Sequence, residues 1–391
     1  MSPENSSRVY LDYAATTPLR PEVADAMTLA LSDGPFNPSS LHAEGRRSRA
    51  VVDDARERVA RLLGVGRKGI TFTASGTEAD NLAILGTARA IGGRDGRRHL
   101  VSSTIEHHAV LHALDALAED GFEVTLVPVD ERGVVSPDRF QAALRSDTSI
   151  ASVMYANNEI GTIQPIERLA EIARERGVLF HTDAIQAPTW LPIDAGTVGA
   201  DTIALSAHKF YGPKGVGVLA ARGAIELEPL VRGGGQEFGR RSGTENVAGI
   251  AGLARALQLA SQERAGAAQR ARALRDRLER GIADAVSDVR VNGAGAPRLP
   301  NVLNASFAGV PSDALLLQLD LAGVAVSAGS ACTSGVLEPS HVIAALGTAA
   351  PWTTGAIRFS LGIATTEAQI DRALEAVIAA VRDLRRVRLR T

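Results

Sequence analysis

The stretch SAHKFYGPKG, residues 206–215, decides how the rest of this chain is interpreted. Lysine is rare here, since only three of the 42 basic residues are lysines, and two of them, Lys209 and Lys214, lie in this stretch. The stretch connects two apolar, strand-like runs, residues 202–205 and 216–219. A lysine at the end of a buried strand can hold a carbonyl compound as a Schiff base, because burial lowers the pKa of its amine. The alternative is a surface lysine in a turn.

Length and composition describe an ordinary globular protein. The chain has 391 residues, enough for two domains, with 45% hydrophobic and 22% charged residues. Its formal net charge of -2 gives no reason to expect nucleic acid or an anionic membrane as partner. The first residues are polar, no apolar run reaches membrane-spanning length, and one cysteine, Cys332, cannot form an intramolecular disulfide. We therefore expect a cytoplasmic protein.

Apolar runs alternate with amphipathic helical patterns between residues 70 and 219. This alternation is typical of βαβ units and predicts the α/β class with a mostly parallel sheet. Such sheets bind their ligands beyond the carboxyl ends of the strands, and the polar residues of interest follow the strand-like runs. We interpret the following runs as strands: 70–73, 99–102, 123–127, 150–154, 178–181, 202–205 and 216–219.

The C-terminal part has a different pattern. One helical stretch runs from Glu245 to about Ile282, and its apolar stripe changes register, which predicts a bend or break and a domain boundary near Gly266. Strands and further helices follow, and the last helix opens with a capping box of Thr366 and Gln369. We predict a large domain of residues 16–262 and a smaller α+β domain of residues 1–15 and 263–391, which carries the cysteine loop.

Three strand ends carry groups that suit a phosphorylated ring. Residues 73–78, TASGTE, join a strand to a helix, where amides and hydroxyls suit a phosphate, although Ser75 or Thr77 could simply cap the helix. Asp183 ends a buried strand and needs a cationic partner, either an arginine or the protonated pyridine nitrogen of pyridoxal phosphate. His107 follows a third strand and could stack on a flat ring, exchange protons, or be structural.

Two further residues indicate chemistry on a substrate. Cys332 lies in AVSAGSACTSG, residues 325–335, whose small polar residues lack apolar periodicity. This composition indicates an exposed loop with a reactive thiol, whereas a lone cysteine is more usually a small buried side chain. Arg358 interrupts an apolar strand and needs a partner, which bidentate binding of a substrate carboxylate would provide.

The order of these groups resembles the class V aminotransferase family, and within it the NifS/IscS-like cysteine desulfurases. The resemblance runs from YLD, residues 10–12, to RFSLG, residues 358–362. NNEIG at 157–161, RSGT at 241–244 and GSACTS at 329–334 are similar to family motifs, and the last is similar to the branch that includes IscS and NifS. Two positions depart from the family pattern: Phe36 stands before Asn37, and the phosphate turn reads Ala74-Ser75-Gly76.

The resemblance implies a fold-type-I enzyme with pyridoxal 5′-phosphate as cofactor. Lys209 would hold the cofactor covalently, Asp183 its ring nitrogen and Gln186 its ring oxygen, while His107 would stack on the ring and take part in catalysis. The phosphate would be held by Gly76, Thr77, Ser206 and His208, with Thr244 reaching in from the second subunit of a homodimer. The substrate carboxylate would be held by Asn158, Arg358 and Asn37.

The implied reaction converts L-cysteine to L-alanine and leaves the sulfur on Cys332 as a persulfide. The sulfur acceptor would be an iron–sulfur scaffold or a tRNA-thiolation protein. Selenocysteine lyase is an alternative that uses the same residues, and an aminotransferase is another, although it has no need for a loop cysteine. A non-catalytic scaffold is a third, but it has no physical need to keep Lys209, Asp183 and Cys332 together.

Overall fold

The computed structural model describes residues 8–32, 36–328, 340–348 and 350–388. The strands, in chain order, are β1 (Val9–Tyr10), β2 (Ile70–Thr73), β3 (His99–Ser103), β4 (Glu123–Val127), β5 (Thr148–Ser152), β6 (Leu179–Asp183), β7 (Thr202–Ser206), β8 (Gly217–Ala221), β9 (Val289–Val291), β10 (Val302–Phe307), β11 (Val324–Ala325) and β12 (Ala356–Ser360). The helices are α1 (Pro21–Ser32), α2 (Ala43–Leu62), α3 (Gly76–Asn81), α4 (Thr87–Asp95), α5 (His108–Glu119), α6 (Pro137–Ala143), α7 (Ile166–Glu175), α8 (Ala195–Val198), α9 (Val247–Ala285), α10 (Ser312–Leu321), α11 (His341–Ala345) and α12 (Glu367–Arg388).

A seven-stranded sheet in the order β2-β8-β7-β6-β5-β3-β4 forms the centre of the larger part. Strand β8 runs antiparallel to both of its neighbours, and the other pairings are parallel. Every residue of β2, β3, β5, β7 and β8 is buried, so both faces of these strands are covered. The predicted α/β class with a mostly parallel sheet is confirmed.

This topology places the carboxyl ends of five strands at one edge. Strands β3, β5, β6 and β7 are mutually parallel. Strand β2 has the same direction, because β8 lies between β7 and β2 and is antiparallel to both. The segments that follow these five strands therefore meet, and they are the segments that carry the polar residues singled out in the sequence.

Helix α9 runs without interruption from Val247 to Ala285. A break near Gly266, one of the two expected forms of the change, is therefore wrong. The N-terminal half packs into the core of the large sheet through residues such as Leu253, and the C-terminal half packs into a second core through Leu278. Between them Ala267 and Ala271 are buried against Trp190, so the apolar stripe changes register because the helix changes neighbours.

The second core lies around a three-stranded antiparallel sheet, β12-β10-β9, covered by α10 and α12. Strand β1 joins this part by pairing in parallel with β11. The predicted capping box opens α12: the Thr366 amide donates to Gln369 and the Gln369 amide donates to the Thr366 hydroxyl. The division into residues 16–262 and residues 1–15 with 263–391 stays a prediction.

Among the described residues, no helix is both long and apolar enough to cross a bilayer.

Candidate active site

A cavity of about 190 Å³ lies at the carboxyl edge of the large sheet. Its wall combines the predicted site residues with small residues from the N-terminal segment, chiefly Ala14 and Ala15. The predicted residues that line it are Gly76, Thr77, His107, Asn158, Asp183, Gln186, Ser206, His208, Lys209 and Arg358. Residues separated by almost 300 positions therefore share one cavity.

Lys209 ends the short turn that follows β7, at the end of a buried strand as the sequence predicts. Its Nζ donates to the carbonyl oxygens of Ala14 and Ala15, each at 2.7 Å. Burial lowers the pKa of its amine to about 8, and the positive charge of Arg358 acts in the same direction. Lys214, by contrast, is exposed and does not line the cavity.

The N-terminal segment Asp12–Thr17, called segment 12–17 below, holds this turn in place. The amide and hydroxyl of Thr17 both donate to the His208 carbonyl at 2.9 Å, and the Tyr211 amide donates to the Thr17 hydroxyl at 2.7 Å. Tyr211 has a φ of 67°, a strained conformation for a residue with a side chain. These hydrogen bonds fix the backbone on both sides of Lys209, a role that the sequence did not reveal.

Asp183 ends β6 and projects a carboxylate into the cavity. Its Oδ1 accepts a hydrogen bond from the Ile185 amide at 2.9 Å, and burial raises its pKa to about 6. No arginine forms an ion pair with it in the described part of the chain, so the alternative of an arginine salt bridge is not observed there. The side chain of Gln186 lines the same cavity and donates to the Ala14 carbonyl at 3.0 Å.

Three buried titratable groups that the sequence analysis missed lie behind Asp183. His181 hydrogen-bonds with Asp80 through Nε2 at 3.3 Å and with the Thr202 hydroxyl through Nδ1 at 2.9 Å. Burial raises the pKa of Asp80 well above its ordinary value, raises that of Glu106 to about 8 and lowers that of His181 to about 3. The sequence feature that could have identified this cluster is the spacing of His181 and Asp183, which are two residues apart on a strand and therefore share a face.

The start of α3 lines the cavity and is capped by its own side chains. The Ser75 hydroxyl accepts from the Glu78 amide at 3.1 Å, so the simple capping role considered for Ser75 is real. It leaves the first helical amides, those of Gly76 and Thr77, without partners inside the helix. A Cβ on Gly76 would lie 2.3 Å from Ile185 Cδ1, so this close approach to the sheet requires glycine.

His107 caps α5 with its ring. Nδ1 accepts a hydrogen bond from the Ala109 amide at 3.1 Å, which requires the tautomer that carries its hydrogen on Nε2. Burial lowers the pKa of His107, and the charge of Lys209 adds to the effect. A neutral, flat imidazole therefore forms part of the cavity wall.

Arg358 lies on β12 and is only 4% exposed. Its Nη2 forms an ion pair with Asp12 at 2.8 Å, and its Nη1 donates to the Asn158 carbonyl at 2.9 Å. The chain itself therefore supplies Asp12 as an ionic partner, and binding of a substrate carboxylate by Arg358 stays a prediction. Arg358 Nε is buried and has no hydrogen-bond partner in the part of the chain that the structure describes.

Two predicted residues within the described part of the chain do not line the cavity. Thr244 is exposed and borders a separate hollow with Arg241, and Asn37 is exposed, with its Oδ1 accepting from the Ser39 amide. Cys332 lies outside the described residues. The described residues on either side of it contact the site: Ser327 pairs with Arg358, and the Ser340 hydroxyl donates to Glu159 at 2.6 Å.

Comparisons with known proteins cover nearly the whole chain. A curated cysteine desulfurase IscS from Dictyoglomus turgidum is 47% identical over 379 residues, which are 97% of this chain and 96% of that protein. A solved NifS-like protein superposes with a TM-score of 0.89 at 36% identity, covering 96% of this chain and 100% of that one. A solved structure of SspA in complex with cysteine superposes with a TM-score of 0.80 at 34% identity, covering 90% of this chain and 98% of that one.

The structural neighbours confirm the predicted architecture, a large domain with a mostly parallel sheet and a smaller α+β domain. The family model described as Aminotransferase class-V matches residues 9–373. The chain therefore belongs to the class V aminotransferase family.

Proposed function

We propose that this chain is a pyridoxal-phosphate-dependent cysteine desulfurase, which converts L-cysteine to L-alanine and leaves the sulfur on Cys332 as a persulfide. The observation that carries the proposal is the convergence of Lys209, Asp183 and Arg358 in one cavity. An amine can bond to the aldehyde of pyridoxal phosphate, and a buried acid can pair with its pyridine nitrogen. A guanidinium can bind the carboxylate of the substrate. The names of similar proteins agree, since they include a cysteine desulfurase and a protein solved with cysteine.

The residues of the cavity fit pyridoxal phosphate. Asp183 is a buried acid that forms no hydrogen bond or ion pair with a basic side chain among the described residues, although burial raises its pKa and the charge of Lys209 acts to lower it. Such an acid suits a protonated ring nitrogen. The start of α3 offers free amides to a phosphate, and Ser206 and His208 line the same wall. When bound, the cofactor would supply an electron sink for the substrate carbon next to the amino group.

The side chains of this chain would bind the substrate and move its protons. Arg358 and Asn158 would hold the substrate carboxylate, which orients the Cα–H bond toward Lys209. The Lys209 amine, with a pKa of about 8, is partly neutral at mildly alkaline pH and can accept that proton on Nζ. His107 is neutral and would pack against the ring of the cofactor.

The sulfur step belongs to Cys332. Its thiolate would attack the substrate sulfur, forming an S–S bond while the Cβ–S bond breaks. The electron pair of the broken bond stays with the substrate carbon, which takes up a proton, so that alanine leaves and Cys332 carries the extra sulfur. Because both sulfur atoms are accounted for, no external oxidant or reductant is needed.

The partners form part of the same proposal. Thr244 is exposed on the loop of residues 232–244, outside the cavity of its own chain, which suits a contact with the phosphate site of a second subunit in a homodimer. The acceptor of the persulfide sulfur would be a protein such as an iron–sulfur scaffold. A cytoplasmic location is inferred from the single cysteine.

The test is turnover with cysteine followed by mass spectrometry. We expect the purified, cofactor-loaded protein to form alanine, and the peptide that contains Cys332 to gain one sulfur atom. Cys332→Ser should still bind cofactor and cysteine but form no persulfide. Alanine formation at full rate with an unmodified Cys332 peptide would refute the mechanism. Turnover of selenocysteine in the absence of cysteine turnover would identify a selenocysteine lyase instead.

A further inference from the structure

Asp12 is the acid that holds Arg358, and its backbone is firmly fixed. It lies beside Ser360, which ends β12 two residues after Arg358. The Ser360 amide donates to the Leu11 carbonyl at 2.7 Å, and the Tyr13 amide donates to the Ser360 carbonyl at 3.2 Å. The carboxylate of Asp12 therefore approaches the guanidinium from a defined position.

The hydrogen-bond donors of the Arg358 guanidinium are not all used within the described residues. Asp12 takes a hydrogen from Nη2, and the Asn158 carbonyl takes one from Nη1. Among the described residues Nε has no partner, although it is buried and Arg358 lines the cavity. A buried donor without a partner is costly, and a carboxylate that accepts from Nε and the adjoining Nη would satisfy it with two parallel hydrogen bonds.

We propose that Asp12 is a positioning residue for the carboxylate of the substrate. Its contact with Nη2 fixes the plane of the Arg358 guanidinium and so sets the orientation in which the guanidinium meets a monocarboxylate ligand. The inference rests on the proposed function, which assigns the substrate carboxylate to Arg358. It adds a residue from segment 12–17 to the recognition of the substrate, although Asp12 itself need not touch the substrate.

The surroundings explain why Arg358 needs this contact. Glu159 is a second buried acid that interacts electrostatically with Arg358. Without Asp12, the guanidinium loses its ionic partner and is drawn toward Glu159, because an uncompensated buried charge is costly. The Nε edge would then no longer be held in the orientation that receives the ligand.

Two variants separate orientation from charge. Asp12→Ala removes the acceptor oxygen, whereas Asp12→Asn keeps an oxygen in the same place and removes only the negative charge. The control is Asp371→Ala, which breaks an exposed Asp–Arg pair with Arg277 outside the cavity. The probe ligands are 3-mercaptopropionate, which has a carboxylate and no amine, and cysteamine, which has an amine and no carboxylate.

Calorimetry on the cofactor-loaded variants measures the orientation effect directly. We expect Asp12→Ala to weaken binding of 3-mercaptopropionate about tenfold, the usual effect of losing one positioned charge-assisted contact, and to leave cysteamine binding unchanged. Asp12→Asn should restore binding to within about threefold of wild type, since it keeps the oriented acceptor. In steady-state turnover, KM for cysteine should rise in Asp12→Ala while kcat changes little.

Three outcomes would overturn the proposal. Unchanged or tighter binding of 3-mercaptopropionate by Asp12→Ala would show that Asp12 does not orient Arg358 or that it competes with the ligand. Equal losses for both probes would indicate general damage to the cavity. Equal losses in the Ala and Asn variants would mean that charge and not position matters.

The proposed function is tested separately by the wild type, which must form alanine from cysteine. If it does not, the desulfurase assignment fails whatever Asp12 does. If Asp12→Ala does not fold, as judged by thermal unfolding, Asp12→Ser serves in its place, because a serine hydroxyl is too short to reach Nη2.

Discussion

Replacing Asp183 with asparagine should stabilise the cofactor-free protein. The Asp183 carboxyl is buried, and burial raises its pKa from 3.8 to about 6. Its charge therefore destabilises the folded state at neutral pH, since a raised carboxyl pKa means that folding opposes ionisation. A difference of about two pH units corresponds to about 3 kcal/mol at pH 7.5, which is a ceiling because the new amide must itself be hydrogen-bonded.

The pH dependence gives this prediction its sign. Below about pH 3 the carboxyl is protonated in both the folded and unfolded chains, so aspartate and asparagine should be nearly equivalent. As the pH rises from 4 to 6 the unfolded chain loses its proton first, and the penalty grows. The difference in unfolding free energy between variant and wild type should therefore be about 1 kcal/mol at pH 4.5 and approach about 3 kcal/mol above pH 6.

The assay is urea unfolding of the cofactor-free proteins at several pH values, followed by cofactor titration at pH 7.5. The Asp183→Asn variant should be more stable without cofactor and should bind pyridoxal phosphate more weakly, because an amide does not pair with a protonated ring nitrogen. A variant that is less stable than wild type at pH 7.5 would refute the reasoning, since burial of the carboxylate would then not be a cost. An unchanged difference between pH 4.5 and 7.5 would also refute it.

Three further predictions concern attachment, stability and assembly. Lys209→Ala should abolish the absorbance of lysine-bound cofactor while Lys214→Ala keeps it; a surviving band in the first variant would make Lys214 the attachment site. Glu237→Gln should destabilise the protein by about 3–5 kcal/mol in thermal unfolding, because Arg56 is left buried without its counter-ion. Joint replacement of Arg56 and Glu237 by leucines should destabilise it much less. A single variant as stable as the wild type would contradict this. Sedimentation should find a homodimer, and Thr244→Ala should weaken cofactor binding in it; an active monomer would exclude the role of Thr244.

The groups at strand ends could be predicted because a parallel sheet brings them together whatever the loops do. Lys209, Asp183, His107 and Gly76 each follow a strand of one sheet, so the order of strands and polar residues was sufficient. The family resemblance supplied their roles. The local sequence around these residues does not indicate which side chains from distant segments line the same cavity.

Asp12 and helix α9 show why the remainder could not be predicted. Asp12 meets Arg358 across 346 positions, and only the pairing of its segment with β12 brings them together. The register change in α9 was visible, but the sequence cannot distinguish a break from a continuous helix that passes between two cores. A mid-helix glycine costs only about 1 kcal/mol, which the burial of both halves readily offsets.

The charges around the cavity also bear on why a second subunit would be needed. Among the described residues, Lys209 and Arg358 are the only lysine and arginine that line it, and Asp183 and Asp12 lie close enough to influence the pKa of Lys209. His208 adds no charge at neutral pH, because burial lowers its pKa to about 4. In the described part of its own chain, a phosphate dianion would therefore find amides, hydroxyls and the helix terminus of α3, but no cation beyond Lys209 and Arg358. Contacts from a neighbouring subunit would add hydrogen-bond donors to this wall, and in the proposed homodimer the Thr244 hydroxyl would be one of them.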